Sequence, residues 1–357
     1  MTSEIRVDLV SDTSTKPGAE MREAMAAAEV GDEQRGEDPT TLALCERVAE
    51  LLAMEAGIFL PSGIMCNQTA IAVHCRPGDE ILAAENAHIV GSEGAGAAVF
   101  AGSFVRAVPS RQDIFDGSSL EAAVRPRRPK SPRASLVSVE QTANRGGGAI
   151  WPLDTLVEVA EVARAHDLAV HMDGARLLNA AVASGNPASA YAAQCDSAWL
   201  DLSKGLGCPV GGVLAGSAAF IDEAWIWKHR FGGSMRQSGI LAAAGLYALE
   251  HNVDRLQDDH DNAKRLARRL ADIPGICLVF DEIPTNMVFF DVSGTGLSAQ
   301  AISEKLLAKG IRIGAETETR MRAVTHLDVT RDGVDEASDA LLALVQSEGG
   351  GSVAAAE

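Results

Sequence analysis

The chain has 357 residues, enough for about two domains, and its 46% hydrophobic and 22% charged residues are those of a folded protein with a large core. Forty-nine acidic against 31 basic residues leave a formal charge of −18. That balance excludes nucleic acid and anionic membrane as main partners, because both call for a basic surface.

The N-terminal MTSEIRVDLVSDT lacks the basic start and apolar run of a secretory signal. No stretch approaches the ~18 apolar residues of a membrane span, so a cytoplasmic location is expected. Apolar residues at helical spacing run over Thr41–Met54, with Asp38-Pro39-Thr40 as the start signal. Ala56–Gly63 reads as a short strand entering a turn. Met65–His74 reads as a helix that Arg76-Pro77-Gly78-Asp79 stops. Glu80–Ala84 and Ser103–Val108 follow as strands, and the Pro- and Arg-rich Arg125–Arg133 as a solvated loop. Ala134–Glu140 (strand), Asp154–His166 (helix), Leu168–Asp173 and Ser197–Leu202 (strands) continue the alternation. This pattern predicts an α/β fold, a mostly parallel sheet covered by helices. One long helix is expected from Ile240 to about Leu270. Strand Asn286–Val292, helix Ala299–Lys309 and strands Ile311–Ile313 and Met321–Val329 then suggest a smaller C-terminal α+β domain. The expected division is 1–250, 251–345 and a flexible tail over 346–357. Six scattered cysteines, with no CxxC and no zinc-like spacing, read as core or pocket thiols and give no sign of a metal.

Two segments carry the chemistry. AVHMDGAR (Ala169–Arg176) and WLDLSKGLG (Trp199–Gly207) each run from a strand into a polar residue and a glycine. The C-terminal ends of strands are where open α/β sheets bind ligands. The first delivers Asp173 and Arg176. The second delivers Lys204, one of only seven lysines, which is why a lysine held at a strand end stands out. A carboxylate and a lysine so placed fit pyridoxal phosphate, the lysine forming the Schiff base and the carboxylate keeping the pyridine nitrogen protonated; a salt bridge is the plain alternative. Pro61-Ser62-Gly63 before a helix supplies backbone donors for a phosphate, though an ordinary N-cap looks the same. KHRFGGSMR (Lys228–Arg236) is either a second anion site or a solvated loop.

DLVSDTSTKP, GEDPT, LPSGIMCNQTAIAVHCRPGDE, ENAHI, HMDGAR, LSKGLGCPVGGVLAGS, GGSMRQSGILAAAGLYALEHNV and RAVTHLDV occur in this order. Through them the chain, from about residue 6 to 340, resembles the threonine aldolase family of pyridoxal-phosphate enzymes of the aspartate-aminotransferase fold type. The resemblance implies cleavage of the Cα–Cβ bond of a 3-hydroxy-L-amino acid to glycine and an aldehyde. It makes Lys204 the Schiff-base lysine, Asp173 the pyridinium partner and His88 the residue stacked on the ring. Ser62, Gly63, Ile64 and Asn67 would hold the phosphate, with Arg236 reaching it from a neighbouring subunit of a homodimer or homotetramer. Arg176, Ser11 and Arg322 would grip the substrate carboxylate. His326, placed on the strand face of Arg322 by this reading, reads as a structural histidine, and Arg6 and Asp12 as architectural.

Four positions depart from the family pattern: Arg35 stands where a tyrosine is usual, Ile64 for threonine, Ala143 for histidine and His229 for lysine. With Ala143 unable to handle a proton, His88 is the remaining candidate base. Arg35 adds a fixed charge with five donors; it reads either as a group that binds a second anionic group of the substrate or as a surface or phosphate-ligating arginine. A β-eliminating lyase or aminotransferase on the same scaffold, and a catalytically silent cofactor-binding protein, are the competing readings.

Overall fold

The computed structural model describes residues 4–348. It contains two compact units, residues 17–253 and residues 4–16 with 254–348. The sequence placed the N-terminal segment with the larger unit. It clusters instead with the C-terminal one, because β1 (Val7–Asp8) pairs in parallel with a strand at Ile311–Arg312.

The larger unit carries β2 (Ala56–Leu60), β3 (Glu80–Ala84), β4 (Phe104–Val108), β5 (Ala134–Glu140), β6 (Ala169–Asp173), β7 (Ser197–Asp201) and β8 (Gly212–Gly216). They form one sheet in the order β2-β8-β7-β6-β5-β3-β4. Only β8 runs against its neighbours. β3 and β7 are buried at every position, the signature of strands covered on both faces. The Pro39–Leu52 helix starts as its sequence dictates: Asp38 caps it, Pro39 occupies its first turn, and Leu44, Val48 and Leu52 are buried. The Gly63–His74 helix is capped by Ser62, whose Oγ accepts from Met65 N at 3.2 Å.

The other unit has an antiparallel sheet made of β9 (Cys277–Leu278), β10 (Met287–Asp291), β12 (Gly314–Ala315) and β13 (Arg320–Val324), while β11 (Ile311–Arg312) pairs only with β1. Leu266, Leu270, Phe290, Ile302, Leu341 and Val345 belong to its core.

Three expectations need correction. The long helix is two, Gly239–His251 and Leu256–Ala271, interrupted at 252–255. The strand expected to reach Val329 ends at Val324, so His326 lies beyond it and shares no strand face with Arg322. Residues 346–348 close an Arg331–Glu348 helix that buries Val334, Ala337, Leu341 and Val345; the rest of the expected tail, 349–357, lies outside the described residues.

Candidate active site

The C-terminal end of β6 presents Asp173, buried, with a fixed set of partners. Asn67, from the second turn of the Gly63–His74 helix, donates from Nδ2 to Asp173 Oδ2 and to Glu93 Oε1, both at 2.7 Å. Its Oδ1 accepts from Trp199 Nε1 at 2.8 Å and meets His171 Nε2 at 3.1 Å. An indole N–H only donates and a carboxylate accepts, so the amide has one possible orientation and its hydrogen-bonding capacity is used up. His171 must then carry its proton on Nε2 and accept at Nδ1 from Ser197 Oγ, 2.9 Å away. Burial pushes the His171 pKa down to about 3, which keeps the ring neutral. The sequence reading gave Asn67 to the phosphate; the structure commits its side chain to Asp173 and Glu93 instead.

Two glycines make this packing possible. A Cβ on Gly63 would lie 2.3 Å from Trp199 Cη2, and one on Gly174 would lie 1.7 Å from the Trp199 carbonyl oxygen. Trp199 is buried, and its indole fixes Asn67.

His88 sits beside this cluster. Its backbone N–H donates to Glu140 Oε2 at 2.8 Å, and its Nδ1 lies 2.7 Å from Glu93 Oε1. Glu140 also accepts from Asn144 N at 3.0 Å, and Glu93 from Gln68 Nε2 at 2.5 Å. Burial, then the nearby Asp173, pushes the Glu140 pKa up to about 7. Burial, then Glu93, raises that of Asp173, and the hydrogen bond to Glu93 raises that of His88. Lys204, past the end of β7, pairs through Nζ with Asp201, and its ammonium lies 5.5 Å from the Trp199 ring centroid. Asp201 is held in turn by Ser203 N at 2.6 Å and Ser203 Oγ at 3.0 Å.

The structure therefore brings together Asp173, Asn67 and His88, with Lys204 just past the end of β7, the strand next to β6. Ser62, Gly63 and Ile64 open the helix that carries Asn67. The N–H groups of Gly63 and Ile64 precede the first intrahelical bond and have no partner among the described hydrogen bonds. Ile64 is 45% exposed, and a pocket lined by Ser62, Ile64, Gln68, Phe100, Trp227 and Phe231 opens beside it. Arg176 is buried, and its backbone N–H bonds Gln141 O at 2.9 Å, next to the Gln141 N–H bond to Asp173 O at 2.8 Å. Ala143 is buried and pairs through its backbone with Ala149.

The other predicted residues have contacts of their own. Arg35 and Arg236 share one carboxylate, Asp32, at 3.8 and 2.9 Å, and none of their described contacts reaches Asp173 or Lys204. The basic loop is no cluster of free cations. Lys228 is buried against Glu33, and Arg230 lies over the Trp227 ring at 4.6 Å. His229 is exposed, with Nδ1 3.3 Å from Ser234 Oγ. In the smaller unit, Ser11 caps the Asp12–Ser14 turn. Arg322 Nη2 donates to Val10 O at 3.4 Å, and its Nε lies 3.5 Å from Glu316. His326 bonds Thr15 Oγ1 and Asp8 O at 3.1 and 2.9 Å, a structural histidine. Sequence reasoning missed Glu93, Glu140 and Asp201. Glu93 lies five residues after His88, the one signal by which it was within reach.

The donor set fits pyridoxal phosphate. Three buried carboxylates, Glu93, Glu140 and Asp173, make a field that a cationic ring nitrogen beside Asp173 answers. The open helix start offers donors to a phosphate, and Lys204 supplies the amine.

A sequence family described as beta-eliminating lyase matches residues 8–293, and the chain belongs to it. The low specificity L-threonine aldolase of Escherichia coli strain K12 is 41% identical over 331 residues, covering 92% of this chain and 96% of that protein. Low-specificity L-threonine aldolase 1 of Arabidopsis thaliana is 39% identical, covering 92% and 93%. The solved threonine aldolase of Leishmania major superposes with a TM-score of 0.81 at 20% identity over 95% of this chain and 99% of that one, which establishes a shared fold. Within the family the chain groups with threonine aldolases, and it is a pyridoxal-phosphate-dependent carbon–carbon lyase.

Proposed function

We propose that this protein cleaves the Cα–Cβ bond of a threonine-like 3-hydroxy-L-amino acid, giving glycine and an aldehyde. The observation that carries the reading is Asp173, fixed by a fully committed Asn67 on the strand beside the one that delivers Lys204. When bound, pyridoxal phosphate supplies the electron sink for the bond that breaks.

The chain's own residues do the rest. Lys204 anchors the cofactor through its amine. Asp173 holds the proton on the ring nitrogen, the state in which the ring withdraws electrons best. Ser62 Oγ and the N–H groups of Gly63 and Ile64 bind the phosphate. Arg176 binds the substrate carboxylate, and Ser11 and Arg322 keep the carboxylate-binding role that the resemblance implies. His88 Nε2, which has no partner among the described residues, accepts the β-hydroxyl proton. Arg236 and Arg35, exposed around Asp32, serve the site of a neighbouring copy in a homodimer or homotetramer. Arg35 there favours substrates whose side chain is anionic. The protein works in the cytoplasm; no described helix is long and apolar enough to cross a membrane.

The test is to incubate cofactor-loaded protein with a panel of 3-hydroxy amino acids and identify the products. Glycine with an aldehyde is expected. Ammonia with a keto acid, or a transferred amino group, would replace this reading with elimination or transamination. Equal turnover of threonine and of analogues with an acidic side chain removes the role given to Arg35. Lys204→Ala should leave the cofactor releasable on gel filtration and without its lysine-linked visible band; retention of that band refutes the anchor.

A further inference from the structure

Glu93 is a buried, fully engaged side chain of the larger unit that no catalytic reading employs. Its carboxylate is buried completely. Oε1 meets His88 Nδ1 and Asn67 Nδ2, both at 2.7 Å, and Oε2 meets Gln68 Nε2 at 2.5 Å. Burying a carboxylate is costly unless donors surround it, and these three donors come from both sides. Asn67 and Gln68 come from the helix that starts at the phosphate turn, and His88 from the segment before Glu93.

We propose that Glu93 is the positioning residue for His88, holding the imidazole as the Nδ1–H tautomer so that Nε2 keeps its lone pair for the substrate proton. The proposal rests on the aldolase reading for the identity of that proton, but the tautomer and the ring's position follow from the contacts alone. An oxygen that already accepts from the Asn67 amide accepts again from the ring, so Nδ1 carries the hydrogen. Through Asn67 the same carboxylate is tied to Asp173: one NH₂ group bridges the partner of the base and the partner of the cofactor ring. The spacing between the Glu93 and Asp173 carboxylates is therefore set by one rigid amide. The sequence places Ala143 where the family has a histidine, which leaves His88 as the imidazole for this task.

The charged groups facing His88 among the described residues are Glu93 on the loop after its short helix, Asp173 on β6 and Glu140 on β5. All are acidic, but only Glu93 reaches the ring nitrogen. Glu93→Gln removes the charge and keeps the volume. The new amide can still accept from Asn67 and His88 at Oε1. Its NH₂ faces Gln68, whose Oε1 has no hydrogen-bond partner and becomes the acceptor if that amide rotates. The variant is thus expected to fold.

The test begins on cofactor-free protein with isotopically labelled histidine, where His88 is followed by NMR and assigned with His88→Asn. In the wild type the nitrogen shifts should report the Nδ1–H tautomer, a reading that needs no variant. In Glu93→Gln the titration of His88 should move down by about one pH unit, the usual reach of one adjacent opposite charge. In the holoenzyme the acidic limb of kcat/KM should move down by the same amount. The plateau kcat should fall about tenfold, the equivalent of ~1.4 kcal/mol, with KM within twofold. An Nε2–H tautomer in the wild type, or a His88 titration unchanged by Glu93→Gln, overturns the proposal. So does a variant that loses stability while its pH profile stays put. If the panel yields no glycine, the aldolase reading fails while the NMR results still decide the positioning role.

Discussion

Gly63→Ala separates two accounts of how the Gly63–His74 helix begins. Helix propensity alone favours the change, since alanine is preferred over glycine by about 1 kcal/mol inside a helix. The structure says the opposite. The new Cβ would sit 2.3 Å from Trp199 Cη2, more than 1 Å inside ordinary contact, and Trp199 is 1% exposed and closely packed. Forcing a methyl into such a core costs about 1–3 kcal/mol. Displacing the indole also endangers its 2.8 Å bond to Asn67, worth about 1 kcal/mol, and with it the register of Asp173. We therefore expect a lower denaturant midpoint and, if ~1.4 kcal/mol of the disturbance reaches the ring site, cofactor affinity about tenfold weaker. Urea unfolding of the cofactor-free protein and fluorescence titration with pyridoxal phosphate measure the two effects separately. A variant as stable as wild type with unchanged affinity would show that Trp199 moves freely and that Asn67 does not depend on it.

Asp173→Asn should lower kcat by about 10- to 150-fold, the range of a charged hydrogen bond, while changing cofactor affinity much less; equal losses in both would contradict the electronic role. Lys228→Met should cost about 3–5 kcal/mol by leaving Glu33 buried and unpaired, and adding Glu33→Gln should recover most of it; chemical denaturation of the three variants decides. Asp38 accepts from Thr41 N, Gly31 N and Gly239 N at 2.9, 3.1 and 2.9 Å. Burial pushes its pKa up, but these donors outweigh it and hold the carboxyl below its ordinary value. A depressed folded pKa means the stabilisation is complete above the ordinary carboxylate value of about 4 and is lost as pH falls through the folded value. Asp38→Asn should cost about 1–3 kcal/mol at neutral pH by leaving at least the Thr41 N–H facing an NH₂ group, and the gap to wild type should narrow in acid. A gap independent of pH would refute the account.

The strands were legible where burial on both faces writes a continuous apolar run between turns: Glu80–Ala84 and Ala134–Glu140 appear with the bounds expected. β8 was not legible. GVLAG is short and bounded by glycines, and those glycines answer tertiary neighbours. A Cβ on Gly212 would lie 3.0 Å from the Leu200 carbonyl oxygen on the neighbouring strand, and no local pattern encodes that contact. The break after His251 was hidden because LYALEHNVDRLQDD keeps apolar residues near helical spacing across it. At the site, Asp173 and Lys204 could be picked out because strand ends followed by glycine mark ligand positions. Lys228 misled because a cation beside Gly-Gly looks solvated, whereas its partner Glu33 lies 195 residues away. Glu140 and Trp199 were hidden for the same reason, since they act on His88 and Asn67 from far off in the chain, while Glu93 offered only its spacing from His88.

The amide of Asn67 has one more consequence. The described bonds to the Asp173 carboxylate come from the Asn67 amide and the Ala175 backbone N–H. Neither can give up its hydrogen near neutral pH. The interior side of Asp173 is thus clamped by dipoles and closed to proton traffic, and behind it His171 is held neutral by burial. Any proton that Asp173 shares must pass on its open side. A carboxylate insulated in this way acts as a one-sided electrode, setting the charge of whatever ring lies against it without draining that charge into the core.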